Sequence, residues 1–428
     1  MPSSGCYELV ISRDVWERIM PSLVDGQNEL AVGTLRRNAC GERIELLVDD
    51  LQPSAPGPQG ERFPPLADWG AIVRPQPGRA DSVADWALRL RPRAAQLSAI
   101  VLLGADGDSG AWDGLVVQGN RTRPLAALRV VGSGMLRADR QPPQPDADLT
   151  SDALTRWSRT RGALGDAVWQ RVRRSHVALF GASRTGSIAA FQFAALGVGR
   201  LLLCDPDTLE IHNLDAMQGV TEEDVGRTKV EALAERLVGC RPDLFVQGLA
   251  CCATDARVVE RVRCADLIVT CADSDTPRLA AAMLASRLLK VHLDVGTGVT
   301  AGESGERQIA ADVRLFVPGH GCVACVGGLP DEEQARYEVL APPGALRRAR
   351  SRPWHQQRAG SLVTINAMAV SVAVQLWLDL LGGHLPSSHW SRLRWHPGRG
   401  LEIHAGTVTA RPDCKVCQRV PSNGHSGQ

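Results

Sequence analysis

Short apolar runs alternate with stretches of helical periodicity from Ala153 onward. The runs Val177–Phe180, Leu201–Cys204, Leu267–Thr270 and Val291–Val295 are largely apolar rather than apolar at every second position, the pattern of strands covered on both faces. Helical segments between them predict an α/β domain over residues 153–428, with helices packed on a mostly parallel sheet. Ser361–Leu381 adds an apolar helix that carries no charge until Asp379, so it is expected inside the sheet domain. Residues 326–360 lack any such period. Their prolines, glycines and arginine cluster predict a long crossing segment.

Residues 1–136 follow a different pattern. The strand-like runs Glu29–Leu35, Arg43–Val48, Ala71–Arg74, Ala99–Leu103 and Leu115–Gln118 accompany a helical stretch near Ser82–Arg91, which predicts a small α+β domain. Residues 137–152 are rich in proline and aspartate without apolar period and read as an exposed linker.

The strand Val177–Phe180 breaks at Gly181, and Gly186 opens a helix. A strand delivering its end to a glycine turn and a helix N-terminus leaves free N–H groups over a phosphate-sized gap. The next strand ends in Asp205, placed as an acidic residue that meets a ribose hydroxyl would be. Ser183 occupies the middle glycine position of GxGxxG, which weakens an ordinary NAD site and leaves open a tight strand-to-helix turn with no cofactor. Lys229 stands out by composition: of 48 basic residues, only Lys229, Lys290 and Lys415 are lysine. A compact ammonium suits phosphate as a point charge where a guanidinium fork does not, although a solvated helix position would hold a lysine as well.

With 428 residues, 44% hydrophobic and 22% charged, the chain has room for roughly three domains. Its 48 basic and 47 acidic residues leave a net charge of +1, too little to draw nucleic acid or an anionic membrane from a distance. The first thirty residues show no charged-then-apolar leader, and no run approaches the length of a membrane span, so a cytosolic location is expected. Twelve cysteines in that compartment favour metal ligands and buried thiols over disulfides. The CxxC pairs Cys322, Cys325 and Cys414, Cys417 have the spacing of a closed structural zinc site. Cys271 follows a buried-looking strand and reads as a core thiol rather than a nucleophile.

The ordered series of strand, glycine loop, LLLCDPDTLEIHNLD, DVGRTK and TCADSDTPR resembles the ThiF/MoeB/HesA superfamily, the adenylating core of ubiquitin-activating enzymes. The resemblance implies a Rossmann-like adenylation domain that binds ATP and magnesium. It also implies a zinc clamp for the C-terminal tail and attack of a partner protein's C-terminal carboxylate on the α-phosphate. Carried over by motif, it implies that Gly181 and Gly186 flank the nucleotide, Asp205 holds the ribose, and Asp207 and Asn213 line the phosphate side. Lys229 would neutralise phosphate charge, Asp273 would carry magnesium, and Arg159 would be the arm that a dimer partner contributes. The implied partners are a ubiquitin-like or sulfur-carrier-like protein ending in glycine, a second copy of the chain, and conjugation components such as a conjugating enzyme in a bacterial pathway. Antiviral defence enters by family analogy alone.

The match has departures. Ala216 and Met217 stand where family members commonly carry arginine and glutamine, and Arg184 is the nearby guanidinium that could substitute. Asp273-Ser274-Asp275-Thr276-Pro277 is also a helix start. In the first domain, Glu29, Pro77, Ser82 and Asp85 are similar to JAB-type metalloprotease elements, but Arg74 and Gln76 replace the zinc histidines, so a degenerate, inactive domain is implied. Two other functions remain beside activation: a catalytically silent scaffold that binds the modifier, and a nicotinamide-dependent oxidoreductase.

Overall fold

The computed structural model describes residues 6–24, 30–41, 43–54, 69–74, 83–84, 87, 99–105, 112–140, 150–301, 307–340 and 362–417. They fall into two compact units, Met1–Ala147 and Asp148–Gln428.

The first unit runs β1 (Cys6–Ser12), α1 (Arg13–Val24), β2 (Leu30–Cys40), β3 (Arg43–Ser54), β4 (Trp69–Arg74), β5 (Ala99–Ala105), β6 (Trp112–Gln118), β7 (Arg121–Val131) and β8 (Leu136–Asp139). β1 pairs in parallel with both β3 and β7, so the sheet order β1-β3-β2-β4-β5-β6-β7 closes on itself, with β8 hydrogen-bonded to β7. Closure gives β1 a partner on both sides and leaves β8 as an edge. Tyr7, Leu9 and Ile11 alternate into the core with Ile44, Leu46, Val48 and the α1 residues Val15 and Ile19. The opposite face carries Glu8 and Glu45 side by side in register. Buried neighbouring carboxylates need counter-charges, and Arg129 lies 2.8 Å from Glu45, Arg137 2.9 Å from Glu8 and Arg43 3.1 Å from Glu45.

This pairing corrects the expected linker, because Arg137–Asp139 are strand, drawn into the sheet by Arg137 and Glu8. Ser151 and Asp152 likewise already belong to a helix. Residues 141–149 of that linker, most of the Ser82–Arg91 helix, and Glu29, Gln76, Pro77, Ser82 and Asp85 lie outside the described residues. Arg74 ends β4, and its side chain is outside them too.

The second unit begins with α2 (Ser151–Leu164) and α3 (Asp166–Arg174). Then β9 (His176–Phe180), α4 (Arg184–Leu196), β10 (Arg200–Cys204), α5 (Lys229–Cys240), β11 (Phe245–Leu249), α6 (Ala256–Val262), β12 (Leu267–Thr270), α7 (Asp275–Leu288) and β13 (Val291–Ala301) alternate. β14 (Arg307–Phe316), α8 (Glu332–Leu340), α9 (Val363–Gly382), β15 (His389–His396) and β16 (Gly400–Thr407) complete it. The sheet order is β11-β10-β9-β12-β13-β14-β15-β16. Pairings are parallel from β11 through β13 and antiparallel from β13 to β16. The parallel part takes in five of the eight strands, β9 to β13, and an antiparallel extension from β14 to β16 completes the expected sheet. After β9 the chain winds outward through β10 to β11, then crosses back to β12 on the other side of β9. This reversal opens a crevice at the carboxyl ends of β9 and β12, where ligands bind in such sheets.

α9 buries Ile365, Asn366, Ala369, Val370, Ala373, Val374 and Trp377, with Trp377 edge-on to Phe193 of α4 at 5.4 Å between centroids. It is long and apolar enough to cross a membrane, contrary to the reading that no run approaches a span, and half of that stretch is buried in the fold. The expected crossing segment contains α8 between Glu332 and Leu340, and its residues 341–360 lie outside the described set.

Candidate functional site

The glycine turn is set by close backbone contacts. Gly181 has φ +90°, and a Cβ there would stand 2.8 Å from the Cys271 carbonyl oxygen; at Gly186 a Cβ would stand 1.8 Å from the Gly181 carbonyl oxygen. Only glycine permits both approaches. Ser183 precedes the first residue of α4, and its side chain makes no capping hydrogen bond. The N-terminus of α4 therefore faces the crevice beside a turn without bulk at 181 and 186, which is the cradle that a nucleotide phosphate requires.

Asp205 is buried, and both of its oxygens are engaged. Oδ2 accepts the Ala182 N–H at 2.8 Å and Oδ1 accepts the Asp207 N–H at 2.9 Å. It ties the glycine turn to the next strand's exit. Burial raises its pKa, opposed chiefly by the charge of Lys229. Lys229 opens α5 behind the N-cap Thr228; it is only 7% exposed and donates to Asp207 Oδ2 at 3.1 Å. Asp205, Asp207 and Lys229 thus converge beside the turn.

Asn213 is buried in a capping box, its Oδ1 accepting the Glu210 N–H at 2.9 Å. This local bond holds the 210–214 turn. Arg184 reaches back to the same turn, donating to the His212 carbonyl at 3.0 Å and pairing with Asp215 at 3.1 Å. Its guanidinium therefore sits against the segment just before Ala216 and Met217, both buried. Asp273 is exposed at the end of β12, and among the described residues it makes no hydrogen bond or ion pair. The N-cap of α7 is Ser274, with no side-chain cap bond, so Asp273 precedes the helix instead of capping it. Arg159 is exposed on α2 and is not joined to the crevice by any contact among the described residues.

One cluster escaped sequence reading. Asp294, fully buried on β13, accepts Arg278 Nη1 on both oxygens at 2.6 Å, Arg314 Nη1 at 2.7 Å and the Thr270 hydroxyl at 2.6 Å. Burial would raise this carboxyl, but the charges of Arg278 and Arg314 hold it below the usual carboxylate range. The Thr270 hydroxyl donates to Asp294, so His292 Nε2, 3.0 Å from Thr270, must carry the proton and donate to that oxygen. Among the described residues His292 Nδ1 is buried without a partner, and burial pushes the imidazole pKa down to about 4. An aspartate inside the run Val291–Val295 was the available signal.

The thiols of Cys322, Cys325, Cys414 and Cys417 lie within 4.8 Å of one another. The separations 322–325, 322–414 and 325–417 are 3.9, 3.7 and 3.4 Å. A tetrahedral zinc with Zn–S bonds of about 2.3 Å sets sulfurs about 3.8 Å apart, so the four thiols fit that ion. Hydrogen bonding from Cys417 pulls Cys322 down to about 6, while Cys417 is pushed up. Cys271 is partly exposed instead of lying in the core, and desolvation pushes its thiol up to about 12.

The ThiF family profile matches residues 157–416. The chain is 31% identical over 273 residues to the SAMP-activating enzyme E1 of Haloferax volcanii, covering 63% of this chain and 90% of that protein. It is 27% identical over 171 residues to ubiquitin-like modifier-activating enzyme 5 of Oryza sativa subsp. japonica, covering 37% of this chain but only 39% of that relative's length. The Escherichia coli MccB structure with ATP is similar at 20% identity, 61% of this chain, 74% of that chain and a TM-score of 0.46. Relatives named as modifier-activating enzymes and sulfur carrier adenylyltransferases, with a family profile that takes in the crevice and three of the four clustered cysteines, establish that this chain belongs to the ThiF family.

Proposed function

We propose that this chain uses magnesium-ATP to adenylate the C-terminal carboxylate of a ubiquitin-like or sulfur-carrier-like protein. The observation that carries this reading is Lys229, an almost fully buried ammonium held beside Asp207 and Asp205 next to the glycine cradle. A partner carboxylate oxygen forms a bond to the α-phosphorus, the bond to the leaving phosphates breaks, and pyrophosphate departs with the electron pair. Such substitution depends on in-line placement and on cations that absorb developing charge. Lys229 supplies one cation, Asp273 offers a carboxylate to magnesium, and Arg184 faces the crevice turn in place of the arginine missing at Ala216. Magnesium would supply charge neutralisation at the phosphates. Asp207 and Asn213 are assigned to the phosphate side, Gly181 and Gly186 to its cradle, and the four cysteines to a structural zinc.

The same reading places the chain in the cytosol as a homodimer, with Arg159 of each copy serving the other's crevice, in a bacterial pathway with a conjugating enzyme. The first unit is assigned as a degenerate JAB-like scaffold. ATP–pyrophosphate exchange with a candidate partner ending in glycine tests the activity. Exchange lost in Lys229→Ala and Asp273→Ala supports it, and exchange absent from the wild-type chain excludes it. A second reading, a silent scaffold that binds the modifier without activating it, is favoured by Ser183, Ala216 and Met217; it requires partner binding without exchange.

A further inference from the structure

Cys271–Asp273 forms the crevice wall across from the glycine turn, and a single guanidinium fixes its backbone. Arg278 Nη2 donates to the Ala272 carbonyl at 2.8 Å while Nη1 is held by Asp294 at 2.6 Å. The Cys271 N–H is bound to the Phe180 carbonyl at 2.8 Å, so the wall is pinned on one side to β9 and on the other to Arg278. Gly296 leaves the guanidinium its room, since a Cβ there would stand 3.1 Å from Nη2. Asp273, by contrast, has no side-chain partner among the described residues, so only its backbone can place it.

We propose that Arg278 is a positioning residue for the adenylation reaction: its planar fork, aimed by Asp294, fixes the Ala272 carbonyl and so sets the reach of the Asp273 carboxylate into the crevice. The proposal rests on the magnesium role assigned to Asp273 above. Burying an acid between two guanidiniums is a weak way to gain stability, whereas one rigid fork bridging a carboxylate and a carbonyl fixes geometry. Thr270, at the end of β12, donates to the same carboxylate and so ties the root of the wall to the same anchor. Arg314 contacts Asp294 but not the wall, which separates the two effects experimentally.

Arg278→Lys keeps the positive charge beside Asp294 but cannot hold both acceptors in one plane. Hydrogen–deuterium exchange of the full chain should show the amides of residues 271–275 exchanging about tenfold faster in Arg278→Lys. Arg314→Lys should leave them near wild type. Gly296→Ala, which crowds the guanidinium without changing charge, should move the same amides and serves if Arg278→Lys does not fold. In pyrophosphate exchange, Arg278→Lys should lower kcat about a hundredfold and raise the magnesium concentration for half-maximal rate, with the KM for ATP nearly unchanged. Equal amide exchange in Arg278→Lys and Arg314→Lys, or wild-type magnesium dependence in Arg278→Lys, overturns the positioning role. A wild-type chain without pyrophosphate exchange removes the adenylation reading and the positioning role in it, and the amide comparison then decides only whether Arg278 sets the wall.

Discussion

Lys229 and Asp207 are joined twice: the ammonium lies 3.1 Å from the carboxylate, and the Lys229 N–H binds the Asp207 carbonyl at 3.0 Å. The backbone bond anchors the start of α5 to the exit of β10, so the side-chain pair can open without loss of the fold. Asp207 is half exposed, so water can solvate its carboxylate when the ammonium leaves it. The ammonium is thus free to exchange its carboxylate for a phosphate.

Lys229→Ala should therefore lower pyrophosphate exchange by about a hundredfold or more while shifting the melting temperature by only a few degrees. Lys229→Arg should fail to restore the rate, because a guanidinium needs a wider, bidentate seat than this buried position offers. Exchange rates and thermal melts of the two variants, compared side by side, check both statements. A Lys229→Arg variant at wild-type rate would mean that charge alone suffices.

The glycine turn separates two substitutions that look alike on paper. Gly186→Ala would drive a Cβ to 1.8 Å from a backbone oxygen, so α4 must shift and stability should fall by about 3 kcal/mol or more. Ser183→Gly removes a hydroxymethyl that caps nothing. It should cost about 1 kcal/mol or less and tighten ATP several-fold by letting the phosphates approach the backbone. Urea melts and nucleotide titrations distinguish the outcomes.

What was legible in the sequence follows from where burial is two-sided. β9, β10 and β12 are covered on both faces and read directly as apolar runs, and the glycine turn between β9 and α4 is forced by contacts that no other residue allows. β14 and β15 were missed because their polar positions are arginines paired across the sheet, as Arg392 is with Asp312 at 2.7 Å. β11 begins with an exposed Phe245 and lacks the expected run. The first unit's β1, α1, β7 and β8 were missed for a related reason: Glu8 and Arg129 lie in strands as buried charges that only their long-range partners explain. Arg278 and Asp294 belong to the same class.

Metal content provides a test of the thiol cluster. The purified chain should hold one zinc per chain, and Cys414→Ser should lose it together with the docking of the tail onto Cys322 and Cys325. Structural zinc contributes folding energy directly, so the second unit of that variant should melt several degrees lower and the tail beyond β16 should become the first site of proteolysis. Elemental analysis and limited proteolysis read the two effects. Zinc retained in the quadruple cysteine variant would place the metal elsewhere.

The buried His292 predicts the acid limb of stability. Its folded pKa of about 4 lies below its ordinary value of 6.5, so between these values the unfolded chain binds a proton that the folded chain refuses. Stability then rises with pH through this window and is lost as the pH falls from about 6.5 toward 4. The full difference amounts to about 3 kcal/mol for this one group. Because Nε2 donates to Thr270 and Nδ1 has no partner among the described residues, His292→Gln can keep the donated bond while removing the titration. Urea unfolding of wild type and His292→Gln across that range, each with its metal bound, should give a flatter acid limb for the variant. His292 lines the same pocket as Cys322 and Cys417, so elemental analysis of both chains at each pH separates zinc loss from the titration. Parallel pH profiles would show that His292 takes up no differential proton and that the acid limb originates elsewhere.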